Sequence, residues 1–129
     1  MERVEAVSKR STRQKRAIDE VLHQAPGPLS AREIQDRASK ICSGLSLATV
    51  YRVVREGSEA GELSVVRLED NVARYESQHL HHHHHFLCEQ CEQVFDIATP
   101  CEVVANHVPE GFAVTRHEIT LYGRCAECA

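Results

Sequence analysis

The sequence predicts an α+β fold in two parts, in which three helices and a β-hairpin precede a smaller α/β unit. Apolar residues recur at helical spacing up to residue 54, and alternation with a period of two begins after Gly61. A second mixed pattern of strands and one helix starts near residue 78. The chain of 129 residues is long enough for two small domains. We therefore expect domains at residues 1–77 and 78–129.

The ends of the first three helices are marked by local signals. The first helix is expected from Thr12 to Gln24, because Pro26-Gly27-Pro28 stops the apolar pattern. Ser30 and Ser46 stand at the N-cap positions of the second and third helices. These signals predict three separate helices before residue 60.

The faces of these helices follow from the spacing of their apolar residues. The second helix is expected to bury a stripe formed by Ile34, Ala38 and Ile41. The third helix turns its apolar residues inward and leaves an outer face with Thr49, Tyr51, Arg52 and Arg55. Polar and aromatic side chains on one face are typical of a helix that reads DNA.

Short strands dominate the rest of the chain. Strands at residues 63–68 and 72–76 are joined by the turn signal Glu69-Asp70-Asn71. Three helices followed by a β-hairpin form a winged helix-turn-helix, a DNA-binding fold. The second part is expected to contain strands at residues 81–88, 93–97 and 112–122, with a helix at 100–108. So small a unit needs a metal or a partner subunit to supplement its core.

Charge is divided unevenly along the chain. The formal net charge of −4 argues against nucleic-acid binding driven by total charge. Residues 1–74, however, carry 13 Lys/Arg against 11 Asp/Glu, whereas residues 75–129 carry 2 against 8. The first sixteen residues are locally cationic and lack the apolar stretch of a signal peptide, and no apolar run is long enough to span a membrane. We expect a cytoplasmic protein with no membrane partner.

Four of the six cysteines form two C-x-x-C pairs, Cys88 with Cys91 and Cys125 with Cys128. Two such knuckles can close a tetrahedral tetrathiolate around a structural Zn²⁺. The alternative is a pair of redox-active dithiols, but these pairs lack the helix-opening context of thioredoxin-like folds. Cys42 stands alone and is expected to be a small buried residue.

Five consecutive histidines, His81 to His85, precede the first knuckle. Neighbours in a strand point to opposite faces, so His82 and His84 share one side and the other three share the second side. One strand could therefore serve two metal sites. Candidate partners are Glu76 and Asp96 on one side, and Glu102, Cys101 and His117 on the other. Each partner also has an ordinary interpretation as a capping residue, a core histidine or a solvated acid. A purification tag is the ordinary interpretation of the run itself, although tags lie at termini.

Three stretches carry a resemblance to a known family. They are LATVYRV at residues 47–53, HHHHHFLC-x-x-C at 81–91, and His117 followed by LYGRC-x-x-C at 121–128. In this order they resemble the ferric uptake regulator family of bacterial metal-sensing repressors over nearly the whole chain. The resemblance implies a homodimer with an N-terminal winged-helix domain and a C-terminal α/β dimerisation domain. It also implies that metal binding closes the dimer onto double-stranded DNA with an AT-rich palindromic operator.

The same resemblance implies roles for individual residues. Tyr51 and Arg52 would contact the major groove and the backbone, and Arg10 the minor groove, with Thr49 and Lys15 as further DNA-binding candidates. A regulatory metal site at the hinge would use Glu76, His83, His85 and Asp96. A second site would use His82, His84, Glu102 and His117, with Cys101 as an additional candidate.

Two positions depart from the family pattern. Many members supply a histidine to the hinge site just before the second helix, where this chain has Pro28. Gly57 replaces an apolar residue that is usual in the third helix, which is expected to shorten or loosen that helix.

The ligand types favour zinc as the sensed metal. Zinc prefers imidazole and thiolate in four-coordinate sites, whereas Fe²⁺ and Mn²⁺ sensors depend more on carboxylates. Here His84 replaces the usual carboxylate within the histidine run, and Cys101 lies beside Glu102. We expect a zinc-responsive repressor of metal-homeostasis genes, with iron sensing and peroxide sensing through iron as alternatives. A zinc-dependent hydrolase is the alternative from another class, but no H-E-x-x-H or G-x-S-x-G motif occurs, so we expect no enzyme.

Overall fold

The computed structural model describes residues 2–78, 80–98 and 107–129. The chain divides into two compact units, residues 1–79 and 80–129. The first unit contains α1 (Glu2–Gln24), β1 (Leu29–Ser30), α2 (Ala31–Ala38), α3 (Leu47–Glu59), β2 (Leu63–Arg67) and β3 (Ala73–Ser77). The second contains β4 (His84–Cys88), β5 (Val94–Ile97) and β6 (Thr120–Gly123). The predicted α+β class is confirmed.

The helix starts of α2 and α3 follow the predicted caps. The Ser30 hydroxyl accepts the Glu33 backbone N–H at 3.2 Å, and the Glu33 carboxylate accepts the Ser30 N–H at 3.1 Å, which completes a capping box. The Ser46 hydroxyl likewise accepts the backbone N–H of Thr49. The first helix differs, because it begins at Glu2 and not at Thr12. No proline or glycine interrupts residues 2–11, so nothing in them stops the helix.

The core of the first unit lies between its three helices. Ile18 of α1, Ile34 of α2 and Val50 of α3 are all fully buried. The prediction that Ile41 joins this core was wrong, since its side chain is 52% exposed. The reason is that α2 ends at Ala38, so the chain leaves the helical path before residue 41. Cys42 packs half-buried against the edge of the core.

The β-hairpin of the first unit forms a three-stranded antiparallel sheet in the order β1-β3-β2. The turn between β2 and β3 places Asn71 at a φ of 59°, in the left-handed region that asparagine tolerates. Gly57 does not shorten α3, which continues to Glu59. A Cβ at position 57 would lie 2.9 Å from the Leu63 side chain, so glycine lets β2 approach the helix closely.

A buried arginine of β3 anchors the turn of the hairpin. Arg74 is 2% exposed and donates from both terminal nitrogens to the Asp70 carboxylate, at 3.0 and 2.8 Å. This hydrogen-bonded pair holds the pKa of Asp70 below its ordinary value. The backbone N–H of Val72 also donates to Asp70 at 3.1 Å, which closes the turn.

The Asp70→Asn variant is expected to lose about 2 kcal/mol of unfolding free energy, because it leaves the buried Arg74 charge without its carboxylate. Since the folded state lowers the pKa of Asp70, the stability that this pair contributes is present above about pH 4 and is lost as the pH falls below it. Urea unfolding between pH 3 and 7 measures both effects. The exposed Asp36→Asn on α2 is the matched control, and equal pH profiles for wild type and Asp70→Asn would contradict the anchor.

The sheet of the second unit has the order β5-β4-β6. Strand β4 is antiparallel to β5, where His85 lies opposite Asp96, and parallel to β6, where Cys88 lies opposite Gly123. The predicted strand at 112–122 is much shorter than expected, because only Thr120–Gly123 runs along β4. The strand predicted at 81–88 begins only at His84, so residues 81–83 lie before β4. Phe112 and Val114 are 68% and 43% exposed and pair with no strand in the described part of the chain. Most of the helix predicted at 100–108 lies outside the described residues.

No helix within the described ranges is both long and apolar enough to cross a membrane.

Candidate metal centres and DNA-facing surface

The two C-x-x-C knuckles of the second unit bring four cysteine sulfurs together. Cys88, Cys91, Cys125 and Cys128 each offer one sulfur, and all four lie within 4.8 Å of one another. The end of β4 and the turn after β6 supply the two pairs, and the parallel pairing of these strands sets them side by side. The Cys91 and Cys125 sulfurs are 3.9 Å apart. A tetrahedral zinc with bonds of about 2.3 Å places its sulfurs about 3.8 Å apart.

Backbone N–H groups stabilise negative charge on a sulfur of this cluster, which favours binding of a cation. The N–H groups of Cys91 and Cys125 donate to the buried Cys88 sulfur at 3.5 and 3.3 Å. These bonds lower the pKa of Cys88 to about 6. In contrast, the bond with the Cys125 thiol raises the pKa of Cys128 to about 12. The donor set therefore fits a structural zinc, whose binding would displace the thiol protons that remain.

Three imidazoles form a second cluster near the start of β4, where His84 lies on the strand and His82 just before it. The ligand nitrogens of His82, His84 and His117 lie within 4.8 Å of one another. The Nε2 atoms of His82 and His117 are 3.1 Å apart, near the spacing of about 3.4 Å that tetrahedral zinc imposes. His84 is 1% exposed, and the backbone N–H of Ile119 donates to its Nδ1 at 3.2 Å. Burial lowers the pKa of His84, which keeps the ring neutral and able to bind a metal.

A third cluster joins His85 of β4 and Asp96 of β5 to His83, which lies just before β4. The Asp96 carboxylate lies 3.4 Å from His83 Nε2 and 3.6 Å from His85 Nε2. His83 donates its Nδ1–H to the carbonyl oxygen of His81 at 2.7 Å. This bond leaves the lone pair of a neutral ring at Nε2, which is how proteins commonly orient a metal-binding histidine. Two nitrogens and a carboxylate oxygen fit a divalent cation.

The other predicted ligands are Glu76 at the hinge and Cys101 and Glu102 at the second site. Glu76 lies on β3 in the first unit, whereas His83, His85 and Asp96 belong to the second. Pro28 is fully buried and offers no ligand atom. The predicted ligands Cys101 and Glu102 fall outside the described residues.

The outer face of α3 presents the predicted DNA-binding side chains. Tyr51 is 50% exposed, and the Arg52 guanidinium lies 3.6 Å from the Glu56 carboxylate one turn later. Thr49 is half-buried, and its hydroxyl accepts a bond from the Ser46 side chain at 2.9 Å. Tyr51 and Arg52 are therefore both accessible on the outer face of α3.

The cationic residues of α1 form a separate part of this surface. Arg10 and Lys15 are both exposed, and Arg10 lies on a regular helix because α1 begins before it. Lys15 approaches Glu62 at 4.0 Å, a distance at which exposed ion pairs contribute little stability. Sequence reasoning missed Gln14 between them, which is buried on the inner side of α1. The only signal was its position one turn before Ala17 and Ile18.

The comparison with known families decides what class of protein this is. The model of the ferric uptake regulator family matches residues 6–122. The chain belongs to the ferric uptake regulator family. Members of this family are metal-responsive, dimeric DNA-binding regulators and not enzymes, so the family prediction is confirmed and the hydrolase alternative is rejected.

Individual relatives within the ferric uptake regulator family respond to different signals. The peroxide-responsive repressor PerR of Staphylococcus epidermidis is 32% identical over 123 residues, covering 92% of this chain and 81% of the relative. Among solved structures, a zinc-bound manganese uptake regulator aligns with a TM-score of 0.76 and 27% identity over 87% of both chains. FurB of M. tuberculosis, a zinc uptake regulator, aligns with a TM-score of 0.55 and 29% identity over 97% of this chain and 99% of its own. The choice of metal must therefore rest on the ligands of this chain.

Proposed function

We propose that this protein is a zinc-responsive repressor that binds operator DNA as a homodimer in the cytoplasm and controls metal-homeostasis genes. The observation that carries the choice of zinc is the cluster of His82, His84 and His117, whose described ligand atoms are all imidazole nitrogens. Imidazole ligands alone suit four-coordinate zinc, whereas Fe²⁺ centres commonly add a carboxylate to their imidazoles and Mn²⁺ favours oxygen ligands. Iron, manganese or peroxide sensing is the second candidate. The Asp96 carboxylate beside His83 and the similarity to PerR favour it.

A structural role is proposed for the four-cysteine cluster. Its sulfur spacing and backbone N–H bonds support a permanently bound Zn²⁺ that joins β4 to the C-terminal knuckle. Among the described residues of the second unit, only a few are buried. A permanent metal would supplement this small core.

Regulatory roles are proposed for the two histidine clusters near the start of β4. At the hinge, Glu76 would join His83, His85 and Asp96 in one metal site. A metal shared by ligands from both units would restrain the hinge and set the reading helices at operator spacing. In the second site, Glu102 or Cys101 would supply a further ligand to His82, His84 and His117.

Dimerisation is proposed to use apolar surface of the second unit. Phe112, Val114 and Leu121 are 68%, 43% and 51% exposed, and a dimer interface would remove such large apolar side chains from water. A two-fold dimer presents two copies of α3, and a two-fold arrangement matches an AT-rich palindromic operator.

The DNA-binding role is tested on a duplex that the zinc-loaded protein selects from a random library. Tyr51→Ala and Arg52→Ala are expected to weaken binding by about tenfold or more, because each removes a base or phosphate contact. Arg10→Ala is expected to flatten the salt dependence of binding, because a phosphate or minor-groove cation releases counterions. Fluorescence anisotropy at several salt concentrations measures both.

Arg116→Ala is the matched control, because this exposed arginine belongs to the second unit. It should bind the duplex as the wild type does, and all variants should keep their zinc content. Equal affinity and salt slopes for the wild type and all four variants would contradict the assigned DNA surface. Repeating the titration at buffered free Zn²⁺, Fe²⁺ and Mn²⁺ decides the metal, since zinc should promote binding at the lowest free concentration.

A further inference from the structure

The buried ring of His84 accepts a hydrogen bond from the main chain. The backbone N–H of Ile119 donates to its Nδ1 atom at 3.2 Å, and the ring is 1% exposed. Ile119 directly precedes β6, which begins at Thr120. A neutral imidazole that accepts at Nδ1 carries its own proton at Nε2. The lone pair of this ring is therefore in use at the point where the chain enters β6.

Metal binding by His84 needs the same lone pair. A neutral imidazole has one nitrogen that accepts, so it either accepts a hydrogen bond or binds a cation. If Nδ1 binds the metal, the Ile119 N–H loses its acceptor directly. If Nε2 binds the metal, its proton moves to Nδ1, which then points an N–H at the N–H of Ile119. Keeping the bond to Ile119 with a metal on Nε2 would require the ring to lose its second proton and become an anion.

The other two rings of this cluster are held differently. The Nε2 atoms of His82 and His117 are 3.1 Å apart, so one ring donates to the other. When both rings bind one cation, this contact between two ligands is replaced by their bonds to the ion. The bond from Ile119, in contrast, joins a ligand to the main chain, so its loss changes the surroundings of a peptide group outside the cluster.

The peptide that contains the Ile119 nitrogen can turn without breaking the pairing of β4 with β6. The Ile119 carbonyl belongs to the next peptide along the chain, and it accepts the N–H of His85 at 3.1 Å. The bond to His84 is partly buried, and a shielded N–H that loses its acceptor costs free energy until it finds another. This cost favours rotation of the peptide. The segment with the exposed Phe112 and Val114 leads into it.

We propose that a metal bound by the cluster of His82, His84 and His117 breaks the bond between His84 and Ile119 and turns the peptide before β6. The direction in which the chain enters β6 then depends on whether the cluster holds a metal. This inference rests on the second metal site of the proposed function. It gives that site a conformational output in the segment whose apolar side chains are assigned to dimerisation.

The test is an NMR titration with Zn²⁺ of ¹⁵N-labelled protein that already holds zinc in the four-cysteine cluster. An N–H···N bond couples its two ¹⁵N nuclei, so a coupling between Ile119 and His84 is expected before the titration. The imidazole ¹⁵N shifts report which rings bind zinc, and the coupling should disappear as His84 does so. The Glu89 N–H, which donates to the Gly123 carbonyl at 2.7 Å at the other end of this strand pair, is the internal control and should keep its shift.

His84→Asp is the matched variant. A carboxylate has two oxygens with several lone pairs, so it can accept the Ile119 N–H and bind a metal at the same time. The shift of the Ile119 amide on zinc binding is therefore expected to be several times smaller in this variant than in the wild type. The amides of residues 112–116 should show the same difference, because they follow the turned peptide.

Loss of the coupling together with the smaller shifts in His84→Asp supports the proposal. A coupling that is absent before the titration, or that persists after His84 binds zinc, overturns it. Zinc held by His82 and His117 without His84, or equal Ile119 shifts in the two proteins, also overturns it. These outcomes leave the second metal site standing, whereas zinc that binds none of the three rings removes that site and the proposal together.

Discussion

Replacing Cys88 by serine is expected to abolish cooperative folding of the second unit, and Cys125→Ser should do the same. Structural zinc contributes about 10–16 kcal/mol of apparent binding free energy in small zinc domains, and that energy is folding energy. Whole domains are stable by only about 5–15 kcal/mol. Loss of one ligand from the four-cysteine cluster therefore removes more stability than the second unit has available.

The measurement is zinc content together with thermal unfolding of the purified variants. Cys42→Ser is the matched control, because that cysteine lies half-buried in the first unit and outside the cluster. It should retain one tightly held zinc per chain and unfold cooperatively. Soluble, zinc-free dimers of Cys88→Ser that unfold in a single transition would refute a structural zinc.

The second large effect is expected at the two histidine clusters. His83→Ala and His117→Ala each remove one ligand from one cluster, so each tests one regulatory site. Loss of an outer-shell partner alone costs roughly 10–100-fold in metal affinity, and loss of a ligand should cost at least as much. Anisotropy titrations of the selected duplex against buffered free zinc measure the shift. The exposed His23→Ala on α1 is the matched control.

The variant that still binds DNA tightly in response to zinc marks the dispensable site. If both variants respond as the wild type does, restraint of the hinge by metal is the wrong mechanism. Because Pro28 cannot supply a ligand, we expect the His117 cluster to contribute the larger share.

The same titrations have an expected pH dependence. Metal binding needs neutral imidazoles, so zinc affinity and DNA affinity should fall together as the pH drops through about 6.5. Burial lowers the pKa of His84, so protons compete less strongly with a metal for this ring. In the metal-free protein the sign is the same, since the stability tied to a neutral His84 is present above about pH 6.5 and is lost on acidification.

Local signals explain which parts of the fold could be predicted. Ser30 and Ser46 fixed the starts of α2 and α3 because a cap acts within one helical turn. The end of α2 was predicted too late, since Ile41 continues the apolar spacing and no glycine appears before Gly44. The last strand was predicted too long, because alternation shows that a segment can be extended but not whether a neighbouring strand is present.

In the metal clusters, too, some features follow from the sequence pattern and others do not. Cysteine spacing and the two-residue period of a strand were enough to group the cysteines and to separate His82 and His84 from His83 and His85. The bond from His83 to the His81 carbonyl depends on the orientation of one ring, which no residue pattern encodes. The Arg74–Asp70 anchor was also missed, because an arginine in a predicted strand is ordinarily expected to be exposed, whereas Arg74 is buried.

The alternation of histidines at and just before the start of β4 limits how this stretch of chain can change during evolution. An insertion or deletion of one residue between His81 and Cys88 would exchange the ligands of the two faces, because side chains switch sides at every residue. It would also turn Cys88 away from the other sulfurs. A change of two residues keeps the faces but moves Cys88 by about 6.6 Å along the strand. Substitutions can therefore alter the chemistry of this stretch, whereas its length must stay the same in any descendant that keeps all three clusters.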